Sequence, residues 1–179
     1  MRVISGSAKG LRLKAPKGLD TRPTTDRVKE SLFNIIQSYV FDARVLDLFS
    51  GTGALGIESL SRGANDAVFI DKSFECVKII KQNLEFTRLN GRVFCANYKR
   101  AIKQLSKNKE KFDIIFLDPP YNCGFLNEAL EIIYNNEVYE KNCLLITEKS
   151  PDEKIKTSFT KIERVENMGN TQIAFIRIK

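Results

Sequence analysis

Hydrophobic residues in this chain fall into short runs separated by longer stretches of mixed spacing. The runs VLDLF, DAVFID, RVFCA, FDIIFLD and NCLLITE have strand length and are rich in β-branched and aromatic residues. Between the first four and after them, ALGIESLSRG, SFECVKIIKQNLEF, YKRAIKQL and FLNEALEIIYNN repeat their apolar positions at helical spacing. Ser73 stands where the second of these helices needs a cap. Strands alternating with helices predict right-handed crossovers and a parallel sheet covered on both faces. The rhythm breaks at the C-terminus. There SFTKIERVEN and TQIAFIRIK meet at a tight MGN turn, which predicts an antiparallel hairpin at the sheet edge.

Upstream, Arg2–Ser5 and Leu11–Lys14 flank GSAKG and predict a small hairpin outside the main core. After the loop PKGLDTRP a helix is expected from near Thr25, with Val28, Leu32, Ile35, Ile36 and Tyr39 on its apolar face. Thr24 or Thr25 can cap it, and Asp26 suits its positive end. The expected organisation is a basic N-terminal extension over residues 1–20 and one doubly wound α/β domain over 21–179.

The first strand runs into VLDLFSGTGALGIES, which places Gly51, Gly53 and Gly56 in G-x-G-x-x-G spacing ahead of a helix. Such glycines let the backbone turn sharply and approach a ligand beside a helix N-terminus. The next strand ends in Asp71, a carboxylate placed to accept from both hydroxyls of a ribose. By position alone this suits NAD as well as any adenosine cofactor. Asp47, four residues before the first glycine, tips the balance. An anion there would repel a dinucleotide's phosphates, but it matches the cationic methionine part of S-adenosylmethionine. The loop also has no Lys or Arg to hold phosphate. Asn97, at the end of the third strand, can reach an adenine amine or serve as a plain turn former.

The fourth strand ends in DPPY, Asp118 to Tyr121. In a doubly wound sheet this strand lies beside the first, and ligands sit beyond the carboxyl ends of both. Pro119 and Pro120 fix their φ angles and offer no N–H. The tetrapeptide therefore presents the Asp118 carboxylate, the Pro119 carbonyl and the flat face of Tyr121. Two fixed acceptors and a stacking ring are what an exocyclic nucleobase amine requires. Its lone pair is freed when both N–H groups are held, and the base must leave its stack to arrive there.

Composition narrows the chemistry further. With no histidine, Ser-His-Asp and Cys-His machinery is excluded, and so is the commonest metal ligand. Cys76, Cys95, Cys123 and Cys143 are widely spaced, which predicts free thiols in a reducing compartment and no zinc site. No apolar run approaches membrane-spanning length and MRVISGSAKG has no signal core, so a cytoplasmic protein is expected. The net charge is +7, and residues 1–30 hold eight Lys/Arg against three acids. That bias makes Arg2, Lys9, Arg12, Lys14 and Arg27 candidates for gripping a phosphate backbone.

D-x-F-S-G-T-G together with DPPY resembles the amino-group class of S-adenosylmethionine-dependent methyltransferases. More narrowly, MRVISGSAKGLRLKAP, TRPTTDRVKESLFNII, DLFSGTGALGIESLSRGA and FLDPPY resemble the RsmD-like bacterial enzymes that methylate N2 of a guanine in 16S ribosomal RNA. The resemblance covers essentially the whole chain. It implies a Rossmann-like class I methyltransferase fold with a mostly parallel seven-stranded sheet, an RNA-facing N-terminal hairpin, and a monomer acting on the small ribosomal subunit. It further implies that Asp47, Phe49, Ser50, Gly51, Gly53, Asp71, Lys72 and Asn97 bind the cofactor. Arg22 and Thr24 would lie near the cofactor or the flipped base, and Asp118 to Tyr121 would hold the guanine amine. Asn97 departs from the pattern, since related enzymes often carry Asp there. The residues alone lead to methylation of a nucleobase amine, while guanine over adenine and RNA over DNA rest on the resemblance. A DNA adenine-N6 methyltransferase, a non-catalytic RNA-binding protein and an NAD-dependent oxidoreductase are the competing readings.

Overall fold

The computed structural model describes residues 1–15, 26–120, 124–156, 158–169 and 171–179. The expected cap at Thr24 or Thr25 and the loop PKGLDTRP lie outside these residues. Seven strands form one sheet: β1 (Arg44–Asp47), β2 (Asp66–Asp71), β3 (Arg92–Cys95), β4 (Phe112–Leu117), β5 (Tyr139–Lys149), β6 (Thr160–Met168) and β7 (Thr171–Ile178). Their order is β3-β2-β1-β4-β5-β7-β6. The first five neighbours pair in parallel, while β7 runs antiparallel to both β5 and β6. An antiparallel strand inserted beside β5 separates this sheet from the dinucleotide-binding order 3-2-1-4-5-6.

Side chains alternate between two cores. Val45, Phe69, Ile114, Phe116, Leu144 and Ile146 face α1 (Asp26–Ile35), α3 (Ala54–Ser61) and α4 (Phe74–Thr87). Leu46, Val68, Ile70, Ile115, Leu117 and Leu145 face α5 (Tyr98–Lys107) and α6 (Phe125–Asn136). Both faces of the central strands are therefore dry, which is why those strands read as near-continuous apolar runs. β6 is an edge, and its exposed Lys161, Glu163 and Arg164 discourage pairing with another chain.

Two expectations are corrected. The helix beginning at α1 does not continue to Tyr39. It breaks at Ile36, and α2 (Gln37–Val40) follows; Phe33, Ile36 and Val40 are buried, and Tyr39 is exposed. The N-terminal hairpin forms, with Arg2 bridged to Arg12 and Val3 N–H donating to the Leu11 carbonyl at 2.9 Å. It is not outside the core, however, because Val3, Ala8 and Leu13 are buried in the α1/α3/α4 face.

A buried carboxylate ties this arm down. Glu58, on α3, accepts from the Ile4 and Ser5 amides at 2.8 and 2.9 Å. It also pairs with Lys29 at 3.0 Å and Arg62 at 2.8 Å. Lys29 is itself fully buried and donates to the Arg2 carbonyl. Burial pulls the Lys29 pKa down and Glu58 opposes that pull. Gly6 is bound into the same contact. Its φ of +85° favours glycine, and a Cβ there would lie 1.7 Å from the Ser61 carbonyl oxygen.

Removing one member of a buried ion pair costs about 3–5 kcal/mol, because the other charge is left uncompensated. Glu58→Ala is therefore expected to lower the unfolding free energy by about that much and to expose residues 1–15 to protease. Glu30→Ala, on the exposed side of α1, should change it by under about 0.5 kcal/mol. Urea titration and limited proteolysis check both.

Candidate functional site

The strand order reverses between β1 and β4, and the two strands pair through Asp47 and Phe116. Leu48 N–H then donates to the Phe116 carbonyl at 3.1 Å. The glycine loop that leaves β1 and the Asp-Pro-Pro segment that leaves β4 thus start side by side at one end of the sheet. A crevice at such a switch point is where open α/β sheets take their ligands.

The glycine loop is built as its spacing predicts. Ser50 Oγ donates to the Asp47 carbonyl at 2.6 Å and accepts from the Ile70 amide at 2.9 Å, stapling the loop to β2. Gly51 and Gly53 have φ of +53° and +78°. Among the described residues, no atom beyond its own chain neighbours lies within 4 Å of where a Gly51 Cβ would sit, so the backbone leaves room there for a close-fitting ligand. Gly56 serves packing instead: its Cβ would lie 2.3 Å from the Phe69 ring.

Asp71 ends β2, and both its oxygens are oriented by the backbone. One accepts from Gly51 N–H at 2.9 Å and the other from Ser73 N–H at 2.8 Å. Each keeps a free lone pair for a hydroxyl. Lys72 beside it is exposed, and Ser73 caps α4 by accepting from Cys76 N–H at 3.3 Å. Asn97 caps α5, its side-chain oxygen accepting from Lys99 N–H at 2.9 Å. The oxygen keeps a second lone pair and the amide nitrogen two donors, so a cap and a contact to adenine are compatible.

Asp47 is buried, and one oxygen accepts from Gly56 N–H at 3.1 Å. Burial pushes its carboxyl pKa up to about 7, and the nearby Asp71 charge adds to the rise. Asp118 is half-buried and is pushed up to about 8, first by desolvation and then by the charges of Glu148 and Asp47. Among the described residues neither has an ion-pair partner. Two poorly compensated carboxylates in one crevice form a site that stabilises a cation. That chemistry fits a sulfonium cofactor and its amino group, and it does not fit a pyrophosphate. Pro119 is buried and Pro120 exposed; Tyr121, Arg22 and Thr24 lie outside the described residues.

The structure adds Tyr98, Phe125 and Glu148, which the sequence reading missed. Phe49 packs on Tyr98 with ring centroids 5.1 Å apart, and Tyr98 on Phe125 at 6.2 Å, giving an aromatic wall beside the loop. The Tyr98 hydroxyl is anchored on Glu128 at 2.5 Å. Glu148, near the end of β5, shares a narrow cleft with Asp118. Its signal was only partial: the run NCLLITE ends in an acid, as DAVFID does, but β5 itself extends to Lys149. Arg2, Lys9, Arg12, Lys14 and Arg27 are all exposed, as expected. Arg2 pairs with Asp26 at 3.3 Å, and Lys14 reaches Gln82 at 3.3 Å.

A family model whose description reads "Conserved hypothetical protein 95" matches residues 1–177. The chain belongs to that family. It is 39% identical over 181 residues to "Putative rRNA methyltransferase YlbH" of Bacillus subtilis, covering 99% of this chain and 98% of the relative. It is 34% identical over 158 residues to the ribosomal RNA small subunit methyltransferase D of Escherichia coli K12, covering 88% and 78%. Among solved structures, "Putative methyltransferase yhhF" from Escherichia coli superposes with a TM-score of 0.88 at 31% identity, over 100% of this chain and 98% of that one. A Thermus thermophilus 16S rRNA N2 G1207 methyltransferase, in complex with AdoMet and guanosine, shares the fold at a TM-score of 0.71. Its identity is 18%, over 89% of this chain and 45% of that one. The seven-stranded sheet described above is the class I methyltransferase fold.

The raised carboxyl pKa values set a pH dependence. The folded protein holds protons on Asp47 and Asp118 that the unfolded chain, titrating near 3.8, has already lost. Stability of the ligand-free protein should therefore fall as pH rises from about 4 through 8. Asp47→Asn and Asp118→Asn should flatten that fall, which thermal melts across the range would measure. S-adenosylmethionine should raise the melting temperature of the wild type and much less that of Asp47→Asn.

Proposed function

We propose that this protein transfers a methyl group from S-adenosylmethionine to the exocyclic N2 amine of a guanine in 16S ribosomal RNA of the small subunit. The observation that carries the reading is the adjacency of Asp118 and Asp47 across the β1–β4 junction. It sets an amine-accepting carboxylate next to a cation-accepting one. The relatives named as rRNA methyltransferases, matched over most of their length, support rRNA as the substrate class.

Asp47, Gly51, Gly53, Asp71 and Asn97 would hold the cofactor, with Phe49 and Tyr98 as an apolar wall. When bound, the cofactor supplies an electrophilic methyl on a sulfonium that departs as a neutral thioether. The Asp118 carboxylate accepts one N2–H bond of an extruded guanine, and the Pro119 carbonyl accepts the other. Tyr121 stacks on the base. Held this way, the amine would direct its lone pair outwards, towards the position a bound methyl donor would occupy. The methylated nitrogen then carries the positive charge and sheds a proton to Asp118 or to water. No histidine is required, because the proton becomes acidic only after transfer. The exposed Arg2, Lys9, Arg12, Lys14 and Arg27 contribute a phosphate-binding surface at the mouth of the arm.

Mass spectrometry of rRNA nucleosides from cells lacking the protein should show loss of N2-methylguanosine at one small-subunit position. Transfer by the purified protein to duplex DNA alone would overturn the reading. Asp118→Ala should lower turnover by at least 100-fold and leave cofactor affinity within a few-fold, while Asp118→Asn, which keeps an acceptor oxygen, should lose less. Neutralising Lys9, Arg12 and Lys14 together should weaken RNA binding and reduce its salt slope by about 3, roughly one unit per phosphate contact.

A further inference from the structure

Asp118 and Glu148 follow neighbouring parallel strands in matching register. Leu117 pairs with Thr147, so the next pair along is Asp118 with Glu148. They follow Phe116 and Ile146, two buried residues of one core, by two positions each, so both emerge on the same face of the sheet. Together they line a narrow cleft walled by Leu32, Leu55 and Ile173. The sheet thus presents two carboxylates side by side, at about the spacing of adjacent strands, roughly 4.8 Å.

We propose that Glu148 is the specificity-determining residue of this site and accepts the N1–H of a guanine whose N2 amine is held by Asp118. The inference rests on the methyl-transfer reading above and deepens it. Three nucleobases carry an exocyclic amine, so Asp118 alone cannot tell them apart. Their neighbouring ring positions differ. Guanine places N1–H next to its N2 amine, so those two adjacent positions are both donors. Adenine places the bare N1 lone pair beside its N6 amine, and cytosine places N3 beside its N4 amine. A carboxylate at Glu148 meets a donor in guanine and a lone pair in the other two. Within a water-poor cleft, a charge facing a lone pair has no partner, and sites built on hydrogen bonding reject such analogues strongly. The leucine and isoleucine walls keep water from repairing the mismatch.

The test uses the rRNA segment carrying the methylated position, with either guanine or 2,6-diaminopurine at that position. Both bases bear an N2 amine, but diaminopurine has a lone pair at N1. Wild-type protein should prefer guanine by at least 100-fold in kcat/KM. Glu148→Gln, whose amide can donate to that lone pair, should shrink the preference by tenfold or more while S-adenosylhomocysteine affinity stays within twofold of wild type. Equal use of the two bases by the wild type would overturn the proposal without any variant. An unchanged preference in a Glu148→Gln protein that still methylates guanine would overturn the assignment and leave the methyl-transfer reading standing. Parallel loss of activity and of S-adenosylhomocysteine binding would make Glu148 structural and also overturn it. No transfer to guanine by the wild type would remove both readings together.

Discussion

Folding gathers four acidic side chains, Asp47, Asp71, Asp118 and Glu148, at one end of one sheet, and the rest of the site depends on that crowding. Asp71 is compensated locally, because two backbone N–H groups hold its two oxygens. Asp47 and Asp118 are not: each is desolvated and feels a neighbouring negative charge, and their carboxyl pKa values rise to about 7 and 8. An anion buried without a counter-ion costs stability. The sheet order imposes this cost, because the reversal between β1 and β4 leaves adjacent strand ends uncovered by crossover helices. A cationic ligand entering there recovers it.

Glu58 shows what the same chain does when a buried carboxylate has a structural purpose. It has Lys29, Arg62 and two amides around it, all within 3.0 Å. That cluster joins the N-terminal arm, α1 and α3, and so fixes the basic hairpin relative to the glycine loop that leads into α3. On the proposed reading the arm grips RNA, which requires a fixed orientation, and a buried ion pair with directional bonds supplies orientation even where an apolar contact would be as stable. The contrast sorts buried acids by their surroundings. Glu58 is saturated by the fold, while Asp47 and Asp118 lack an ion-pair partner among the described residues.

The strands, their order around the switch point and the glycine loop were legible because each depends on local sequence: apolar runs of strand length, helical spacing, and glycines at positive φ. The insertion of β7 between β5 and β6 was only half legible, since a turn predicts pairing between β6 and β7 but not which of them meets β5. The arm's burial was hidden for a different reason. Val3, Ala8 and Leu13 are too few and too scattered to show a period, and the arm is fixed by bonds from Ile4 and Ser5 to Glu58, Ala8 to Ser61 and Lys14 to Asn83, each spanning more than fifty residues. The break at Ile36 was masked by a pattern that suits a continuous helix, although Phe33 and Val40 carry more of the packing than Tyr39 does. Asn97 stayed ambiguous because a cap and a ligand contact look identical in sequence, and the structure shows the cap. Glu148 was overlooked because its meaning comes from register across β4 and β5, which no single strand displays.

On the proposed reading, the distribution of acids also divides binding from rate. During methyl transfer to a neutral amine, one positive charge moves from sulfur to nitrogen, while the cofactor's own ammonium keeps its charge throughout. A carboxylate near that ammonium stabilises ground state and transition state alike, so Asp47 contributes to affinity and little to turnover. A carboxylate bonded to the amine meets charge only as it arrives. Asp118 therefore acts where the transition state differs from the ground state, and its contribution falls on the rate. Two aspartates at the ends of adjacent strands acquire distinct tasks because one faces a charge that stays and the other a charge that moves.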